Sequence, residues 1–598
     1  MTISTVKKDQ LKQKYAEERD KRLRADGNEQ YLELKGQLSH YLEDPYVEVK
    51  AREPKNDHVT VAFIGGGFAG LVTGARLAEQ DITDVRILDK GGDFGGTWYW
   101  NRYPGAMCDT ASFVYMPLLE ETGHMPSEKY THAPEILSHC QRIGHQYHLY
   151  DKALFHTQVT HLKWDEGNSR WSIKTNRGDD FTAQFVAIGT GPLHIPKLPG
   201  IPGLEDFKGH SFHTSRWDYD YTGGNPDGAP LDNLKDKRVA IIGTGATSVQ
   251  CVPALAEGCK TLYVCQRTPS SVDVRANKNT DPEWFKEMAT EGWQKRWLEN
   301  FTLNQTGGAV EEDLVQDGWT DLARRVRSKI NELPPEDRGN PLKMLAAYED
   351  SDFEKMEEIR NRVDTLVGDE QTAQDLKAWY RQLCKRPCFH DEYLQAFNEA
   401  SAILLDTEGQ GVERITEKGF VVLGKEYEVD CIIYASGFEV GTTLVRRTGF
   451  ETIGRDGLSL SNYWEEGMKS IHGINVHNFP NAFFVQPTQG ANLISNIPHN
   501  IVESSQTIAM MIKHAIDNKA KTIEVSKQAE KDWVDLLLTG AGMMLGSLDC
   551  TPGYYNNEGQ APSPASKLNV GYPAGAAAYF KYIDEWRNTG DFKGIEFS

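Results

Sequence analysis

Two glycine-rich loops carry the residue types whose spacing has the clearest chemical meaning. In the first, Gly65, Gly67 and Gly70 form a G-x-G-x-x-G pattern between an apolar strand and a helix. Such glycines allow a tight turn, the close approach of a pyrophosphate, and close packing of the helix on the strand. Asp89 ends the next strand, where a carboxylate can accept hydrogen bonds from an adenosine ribose. Because that carboxylate would repel a 2′-phosphate, this unit predicts a site for FAD or NAD rather than NADP.

The second loop repeats this design with one change of residue and the opposite charge. Gly243 and Gly245 are in place, and Ser248 stands at the third position, where a small side chain still fits. Arg267 follows the next strand, at the place that corresponds to Asp89. Because a guanidinium can pair with a phosphate through two hydrogen bonds, this unit predicts NADPH. The two units together predict a flavoprotein that NADPH reduces.

The cysteines narrow the choice of electron acceptor. Nine of them are scattered from Cys108 to Cys550 without a C-x-x-C pair, which is typical of reduced thiols. They offer neither the dithiol relay of a disulfide reductase nor a zinc site, so no metal is predicted. Molecular oxygen or a small molecule is left as the acceptor.

Around the two loops the sequence alternates strands with helices, which predicts an α/β fold with two Rossmann-like dinucleotide-binding domains. After the second loop, from about residue 271 to 383, the pattern changes to long helical stretches, where Asp281 and Pro282 favour a helix start and Trp293, Trp297 and Phe301 share one face. The predicted divisions are an N-terminal helical extension (1–57), the first part of an FAD-binding domain (58–199), a linker with the first part of an NADP-binding domain (200–270), the helical insertion (271–383), the second part of the NADP-binding domain (384–429), and the second part of the FAD-binding domain with the C-terminal loops (430–598).

The N-terminal extension is charged and favours helix. Leu34, Leu38, Tyr41 and Leu42 have helical spacing before Pro45 ends the pattern. This predicts either an amphipathic helix that packs on another part of the chain or one helix in a solvated tail.

Composition limits the partners of the chain. Its 598 residues suggest several domains, and a net charge of -21 without a local basic cluster argues against nucleic acid and anionic membranes. No apolar run is long enough to span a membrane, and the first residues lack the apolar stretch of a signal peptide. The sequence therefore predicts a cytoplasmic protein. A monomer or weak homodimer is expected, although no pattern in the sequence determines the oligomeric state.

Two longer patterns connect the chain with a known family. The stretch FKGHSFHTSRWD, residues 207–218, matches F-x-G-x-x-x-H-x-x-x-W-P/D through Phe207, Gly209, His213, Trp217 and Asp218. The stretch GGTWYWNRYPGAMCD matches A/G-G-x-W-x-x-x-x-F/Y-P-G-x-x-x-D through Gly95, Gly96, Trp98, Tyr103, Pro104, Gly105 and Asp109. Both are patterns of type I Baeyer–Villiger monooxygenases, which the chain resembles from about residue 58 to its C-terminus. The long extension resembles the branch that accepts large ketones, such as the cyclopentadecanone and polycyclic ketone monooxygenases.

The resemblance implies an enzyme that contains FAD, takes electrons from NADPH, and uses O2 to convert a ketone into an ester or lactone. Reduced flavin and O2 would give a C4a-peroxide that attacks the ketone carbonyl while it remains anionic. Arg386 is implied to stabilise this anion, because a guanidinium supplies permanent charge without a labile proton. Asp109 would orient Arg386, while Lys385 would face away and help Arg267 to hold the 2′-phosphate. The other cofactor contacts implied by the resemblance are Gly96, Thr97, Trp98, Asp109, Tyr115 and Thr268.

The resemblance also assigns roles outside the reaction centre. The fingerprint stretch, residues 207–218, would be a linker that couples movements of the two domains, so His213 is expected to act indirectly. Direct acid–base catalysis by His213 and a purely structural hydrogen-bonded histidine are the alternatives. In CTPGYYNNEG, Tyr554 stands nearest to the place where many relatives have a Trp that contacts the nicotinamide nucleotide.

Two other functions remain open at this point. An N- or S-oxygenating flavin monooxygenase shares the two dinucleotide units, although its fingerprint lacks the ending formed here by Trp217 and Asp218. A flavin-binding redox sensor could use the extension and the helical insertion to bind a partner, but Arg386 and Asp109 weigh against it.

Overall fold

The computed structural model describes residues 4–306, 308, 310–440, 442–486, 488–492, 495–540, 549–561 and 563–598, which are organised around two large sheets. The first sheet has eight strands and contains the first glycine loop. In spatial order its strands are Thr452–Ile453, Val159–Asp165, Arg170–Thr175, Asp180–Ile188, His58–Ile64, Val85–Leu88 and Ala153–Leu154, and Ala482–Phe484 also pairs with Asp180–Ile188.

The centre of this sheet positions the first loop. Strand His58–Ile64 lies between two parallel neighbours, and its second half is buried, as expected for an apolar central strand. It leads through the loop into helix Phe68–Glu79, whose apolar face is buried. That helix packs against helix Ile497–Asp517, and the Thr73 and Ser505 hydroxyls lie 2.9 Å apart across the contact.

The second sheet has five parallel strands and contains the second loop. In spatial order they are Ala402–Asp406, Thr261–Gln266, Arg238–Ile242, Cys431–Tyr434 and His210–His213. Helix Ala246–Gly258 follows the loop. Cys431–Tyr434 extends this sheet beyond residue 429, where the sequence pattern placed the end of the domain, because it pairs with the strand that precedes the loop. The first half of the fingerprint stretch is an edge strand of this sheet rather than an extended linker.

The chain passes between the two sheets at two neighbouring points. After strand Asp180–Ile188 of the first sheet, the chain continues to the second sheet. After strand Cys431–Tyr434 of the second sheet, it returns to the first. Pro196 and Phe438 form a bridge between these crossings, and the Lys197 amide donates to the Gly437 carbonyl at 2.9 Å. The two crossings are therefore joined to each other by backbone hydrogen bonding.

The helical insertion forms as the sequence predicts. Its helices are Pro282–Met288, Trp293–Gln305, Gly318–Glu332, Pro341–Leu366 and Glu370–Asp375. Asp281 caps the first through hydrogen bonds from the amides of Glu283 and Trp284. Trp293, Trp297 and Phe301 are buried along one face of the second, which confirms the predicted apolar face.

The N-terminal extension packs on the rest of the chain, but its helix lies elsewhere than predicted. Helix Thr5–Asp20 comes first, and Tyr31–Leu32 then pairs with Leu198–Pro199. The segment expected to be an amphipathic helix contains the 3-10 turns Gly36–Leu42, because burial of Leu38 and Tyr41 beside the second sheet sets its path. The alternative of a solvated tail is thereby excluded for the residues described.

The remaining elements complete the two domains. The other helices are Thr97–Trp100, Ser112–Tyr115, Leu119–Thr122, Ala133–Gln146, Tyr219–Thr222, Leu444–Thr448, Leu460–Tyr463, Lys527–Leu538 and Ala576–Asn588. The other paired strands are Val272–Asp273 with Cys388–Phe389, Arg414–Thr416 with Gly419–Val422 and Lys425–Glu428, and Ile523–Val525 with Ile595–Phe597. Within the described ranges, every helix is too short or too polar to cross a bilayer.

Candidate active site

The two glycine loops have the same backbone geometry. Gly65 has a φ of +118° and Gly243 a φ of +112°, values that disfavour other residues. In both, a Cβ atom would lie 2.5 Å from a carbonyl oxygen of the neighbouring strand end, that of Gly189 or Ala435. Any side chain would therefore push the loop away from the sheet, and both sites fit a dinucleotide pyrophosphate.

Asp89 holds the first loop in place. Its carboxylate oxygens accept hydrogen bonds from the amides of Gly66, at 2.5 Å, and Gly91, at 2.6 Å. Burial raises the pKa of Asp89, and these two amide hydrogen bonds oppose that rise. Gly67 caps the following helix and Gly70 lies buried in its first turn.

The second loop presents its helix terminus in the same way. Gly245 caps helix Ala246–Gly258, and nothing lies within 4 Å of where its Cβ would be. Ser248 is fully buried at the contact between helix and sheet, consistent with a small third residue. Arg267 lies beyond the next strand with its side chain partly exposed, and the carbonyl of the buried Thr268 accepts a 2.7 Å hydrogen bond from the Thr244 hydroxyl.

Arg386 and Asp109 form a two-pronged ion pair, although 277 residues separate them. The guanidinium Nη2 lies 2.8 Å from both carboxylate oxygens, and Nε lies 3.1 Å from Oδ2. The side chain of Asp109 is 12% exposed, whereas that of Arg386 is 39% exposed. Burial disfavours the charge of Arg386, but Asp109 outweighs it and holds the pKa of Arg386 well above its ordinary value. The guanidinium therefore keeps its charge and has donors left for another anion.

Trp319 of the helical insertion supports this pair, a contact that its position in the sequence did not predict. Its indole Nε1 donates a 2.9 Å hydrogen bond to the Asp109 carbonyl. The centre of its ring lies 5.3 Å from the guanidinium carbon of Arg386, within cation–π range. Nothing in the sequence around Trp319 distinguishes it from the other aromatic residues of the insertion.

Aromatic residues of the second family pattern lie next to the first loop. Gly96 caps the short helix Thr97–Trp100. Trp98 Nε1 donates to the Tyr115 hydroxyl at 3.1 Å, and their rings meet edge to face. Phe68 at the end of the glycine loop packs on Tyr115. These residues thus form one wall beside the proposed flavin site.

Lys385 has other partners than its neighbour Arg386. Its ammonium donates a 3.3 Å hydrogen bond to the carbonyl of Pro552, in the C-terminal loop of residues 549–561. Burial, and then the positive charge of Arg267, lower the pKa of Lys385 to about 8. Lys385 and Arg267 therefore lie close enough to act on each other's charge, and the buried Glu558 carboxylate acts on both.

The C-terminal loop also brings aromatic residues towards Arg386. Tyr554 and Tyr555 lie close enough to act on its charge, and their rings are 4.5 Å apart. Both rings are partly exposed. Tyr554 is thus near Arg386, and the resemblance implies an aromatic nucleotide contact at about this place in the chain.

The fingerprint stretch forms a buried hydrogen-bonded structure. His213 is fully buried, with Nδ1 2.9 Å from the Ser215 hydroxyl and Nε2 3.0 Å from the Gly437 carbonyl at the crossing between sheets. Burial, with a smaller effect of Arg216, lowers the pKa of His213 to about 3. A neutral histidine tied at both nitrogens favours the structural and coupling roles over acid–base catalysis.

The other fingerprint residues pack around this strand. Trp217 is buried, and its Nε1 donates to the Thr222 hydroxyl at 3.1 Å. Asp218 caps helix Tyr219–Thr222 and pairs with His210 at 2.9 Å. Phe207 packs in the second-sheet core, and its ring lies against Gly209.

One expectation about the cysteines was wrong. Cys384 and Cys550 form a disulfide, whereas all nine cysteines were expected to be reduced. The bond joins the residue before Lys385 to the C-terminal loop. The two cysteines are far apart in the sequence, so their positions alone do not show that they lie close together. The other seven cysteines are buried free thiols, and the described residues contain no His, Cys, Asp and Glu group able to hold a metal.

The sequence is similar to known proteins over almost all of its length. A family model described as pyridine nucleotide-disulphide oxidoreductase matches residues 62–278. A neopentalenolactone D synthase from Streptomyces avermitilis is 48% identical over 98% of this chain and 98% of its own. A Baeyer–Villiger monooxygenase from Streptomyces coelicolor is 45% identical over 96% of this chain and 95% of its own. The solved structure of a polycyclic ketone monooxygenase from the fungus Thermothelomyces thermophila has a TM-score of 0.92 and 37% identity, covering 99% of both chains.

Proposed function

The chain belongs to the type I Baeyer–Villiger monooxygenases, and from this premise we propose the parts that its residues take in the reaction. It is an FAD- and NADPH-dependent enzyme that inserts one oxygen atom of O2 beside the carbonyl of bulky cyclic ketones. The observation that carries our assignment is the ion pair of Arg386 with Asp109, brought together from distant parts of the chain.

FAD reduced by NADPH supplies the electrons that activate O2. Arg386 places a permanent positive charge where negative charge must be stabilised, and its guanidinium does not readily give up a proton. Asp109 fixes the plane of that guanidinium through two-pronged pairing, and Trp319 covers one face of it. The pair is therefore oriented before the substrate arrives, which reduces reorganisation during the reaction.

The two loops divide the cofactors by charge. Asp89 beside the first loop suits the unphosphorylated ribose of FAD, and Arg267 with Lys385 beside the second suits the 2′-phosphate of NADPH. Gly65, Gly67 and Gly70 would lie against the flavin pyrophosphate, and Gly243, Gly245 and Ser248 against that of NADPH. Gly96, Thr97, Trp98 and Tyr115 would line the flavin site, and Thr268 the NADPH site.

The fingerprint stretch would couple the two domains without touching substrate. His213 links the edge strand of the second sheet to the crossing at Gly437. A displacement of that sheet would therefore also move the chain where it crosses into the first domain.

A ketone panel tests the proposed substrate class. FAD-loaded protein would be given NADPH, O2 and linear, small-ring, macrocyclic, polycyclic or steroid ketones, with an amine and a thioether included. We expect esters or lactones one oxygen heavier than the ketone, with kcat/KM for macrocyclic or polycyclic ketones at least equal to that for cyclohexanone. Larger substrates bury more apolar surface, at about 25 cal/mol per Å². A strong preference for cyclohexanone would reject the large-ketone class, and oxidation of the amine or thioether alone would reject the ketone reaction.

A further inference from the structure

The N-terminal extension contacts Arg267 through both its side chain and its backbone. The amide oxygen of Gln30 accepts a 2.6 Å hydrogen bond from Arg267 Nη1. Arg22, which is buried, donates from Nε to the Arg267 carbonyl at 2.9 Å. Arg22 lies 245 positions before Arg267 in the chain, and Gln30 lies 237 positions before it. Together they hold the backbone and the guanidinium of Arg267 in place.

The contacting part of the extension is itself firmly held. Arg22 pairs with Glu18 at 2.6 Å, one turn earlier in helix Thr5–Asp20. Just after Gln30, Tyr31 pairs in a short strand, and its ring lies 3.6 Å from the ammonium of the buried Lys197. The segment between Arg22 and Tyr31 therefore has fixed ends.

The C-terminal loop closes the other side of Arg267. The carboxylate of Glu558 is buried, with one oxygen 3.7 Å from Arg267 Nη2 and the other 3.3 Å from the Tyr31 hydroxyl. The side-chain amide of Gln560 donates a 2.7 Å hydrogen bond to the Arg24 carbonyl, so this loop also contacts the extension directly. Arg267 is thus approached from both ends of the chain.

We propose that the N-terminal extension is a specificity element for the nicotinamide cofactor, in which Gln30 is the positioning residue that aims Arg267 at the 2′-phosphate. This inference rests on the proposed role of Arg267 in NADPH binding. Gln30 is suited to that task because its neutral amide oxygen occupies Nη1 without adding to the negative charge that Glu558 already places 3.7 Å from Nη2. With Nη1 held by Gln30, the guanidinium has less rotamer freedom to lose when a phosphate binds.

Binding of two adenosine nucleotides tests the proposal without requiring turnover. Calorimetry on the FAD-loaded full chain would compare 2′,5′-adenosine bisphosphate with 5′-AMP, which differ only in the 2′-phosphate. For Gln30→Ala we expect the bisphosphate to bind about fivefold to tenfold more weakly, with 5′-AMP changed less than twofold. Gln30→Glu should weaken bisphosphate binding at least as much, because its carboxylate would neutralise Arg267 and repel the phosphate.

Gln560→Ala is the matched control. It removes a contact that holds the extension but leaves every described contact of Arg267 in place. It should leave the preference for the bisphosphate within about twofold. If this variant lost as much preference as Gln30→Ala, general loosening of the extension would explain both, and the positioning role of Gln30 would be rejected.

Arg267→Ala separates the inference from the function on which it rests. If Arg267→Ala keeps the preference for the bisphosphate, the proposed NADPH role of Arg267 fails. If that variant loses the preference while Gln30→Ala keeps it, only the inference fails. The double variant should be no weaker than Arg267→Ala alone, because Gln30 is proposed to act only through Arg267.

Discussion

The Trp319 indole donates its hydrogen bond to the Asp109 carbonyl while its ring faces Arg386, the partner of the Asp109 carboxylate. One side chain of the helical insertion thus contacts both members of the ion pair proposed to stabilise negative charge. The insertion therefore contributes directly to the order of the proposed reaction centre.

Substitution of Trp319 should lower the share of consumed NADPH that yields oxygenated ketone. Trp319→Phe keeps an aromatic face but loses the hydrogen bond, so its effect should be smaller than that of Trp319→Leu. The rate of flavin reduction by NADPH should change less than about twofold in both. Trp284→Phe, in the same insertion but in contact with Phe113 instead of the ion pair, is the control. If Trp319→Leu yielded as much product per NADPH consumed as the native protein, a positioning role would be excluded. An equal loss of product yield in the control would exclude it too.

Arg386→Ala should separate reduction from oxygenation. Hydride transfer does not need this cation, so NADPH should still reduce the flavin at nearly the normal rate. Product formation should fall at least about a hundredfold, with the oxygen recovered as hydrogen peroxide, because the anion loses its main stabilising charge. Arg386→Lys should restore little, since an ammonium lacks the planar fork that Asp109 orients.

Rapid-mixing reduction kinetics, product mass and peroxide release would measure these effects. Arg381→Ala is the matched control, because Arg381 lies just upstream and pairs with Glu349 instead. Normal ester yield in Arg386→Ala would show that another group stabilises the anion.

Affinity for NADP+ should fall as pH rises above about 8. The pKa of Lys385 is lowered to about 8 by burial and by Arg267. A bound phosphate would raise that pKa, so the protonated form binds more tightly and affinity declines once free Lys385 loses its proton. The 2′-phosphate ionises near pH 6 and cannot cause this decline.

Titrations of NADP+ and NAD+ between about pH 6.5 and 9.5 would test this dependence, with the binding change followed in the flavin spectrum. NAD+ should show no such decline because it lacks the phosphate. In Lys385→Arg the curve for NADP+ should flatten, since a guanidinium keeps its charge over this range. A decline of the same size for both nucleotides would place the titrating group elsewhere.

Loss of the Cys384–Cys550 disulfide should destabilise the protein. The bond closes a loop with a sequence separation of 166, and removal of such a cross-link typically costs about 2–4 kcal/mol. A reducing agent should therefore lower the apparent melting temperature of the native protein to that of the variant carrying both Cys384→Ser and Cys550→Ser. The same agent should leave the double variant unchanged. Equal melting temperatures of native protein and double variant before reduction would contradict this prediction.

Patterns that are local in sequence predicted the fold class and much of the candidate site. A glycine loop, the strand before it and the charged residue after the next strand lie within one βαβ unit, so Asp89 and Arg267 could be found from spacing. The helix start at Asp281 was predicted for the same reason, because a cap acts within one turn.

Contacts between distant segments could not be predicted in this way. Trp319 reaches Asp109 across 210 positions and Gln30 reaches Arg267 across 237, and no periodicity reports such distances. The prediction of an α-helix near Leu38 was wrong, because the same apolar spacing also fits 3-10 turns. Burial of the apolar side chains against the rest of the protein decided between the two. The roles of the site residues, the domain divisions, the cytoplasmic location and the monomeric or weakly dimeric state stay predictions.

The edge position of strand His210–His213 affects how the chain can assemble during synthesis. Among the residues that the structure describes, its one strand partner in the second sheet is Cys431–Tyr434, about 220 residues later. Because the chain leaves the ribosome with its N-terminus first, His210–His213 emerges long before Cys431–Tyr434, the strand with which it pairs. Until then, its backbone amides and carbonyls are open to pairing with other chains. We therefore expect chains truncated between the two strands to aggregate, since the family's diagnostic stretch is among the last parts of its sheet to be enclosed.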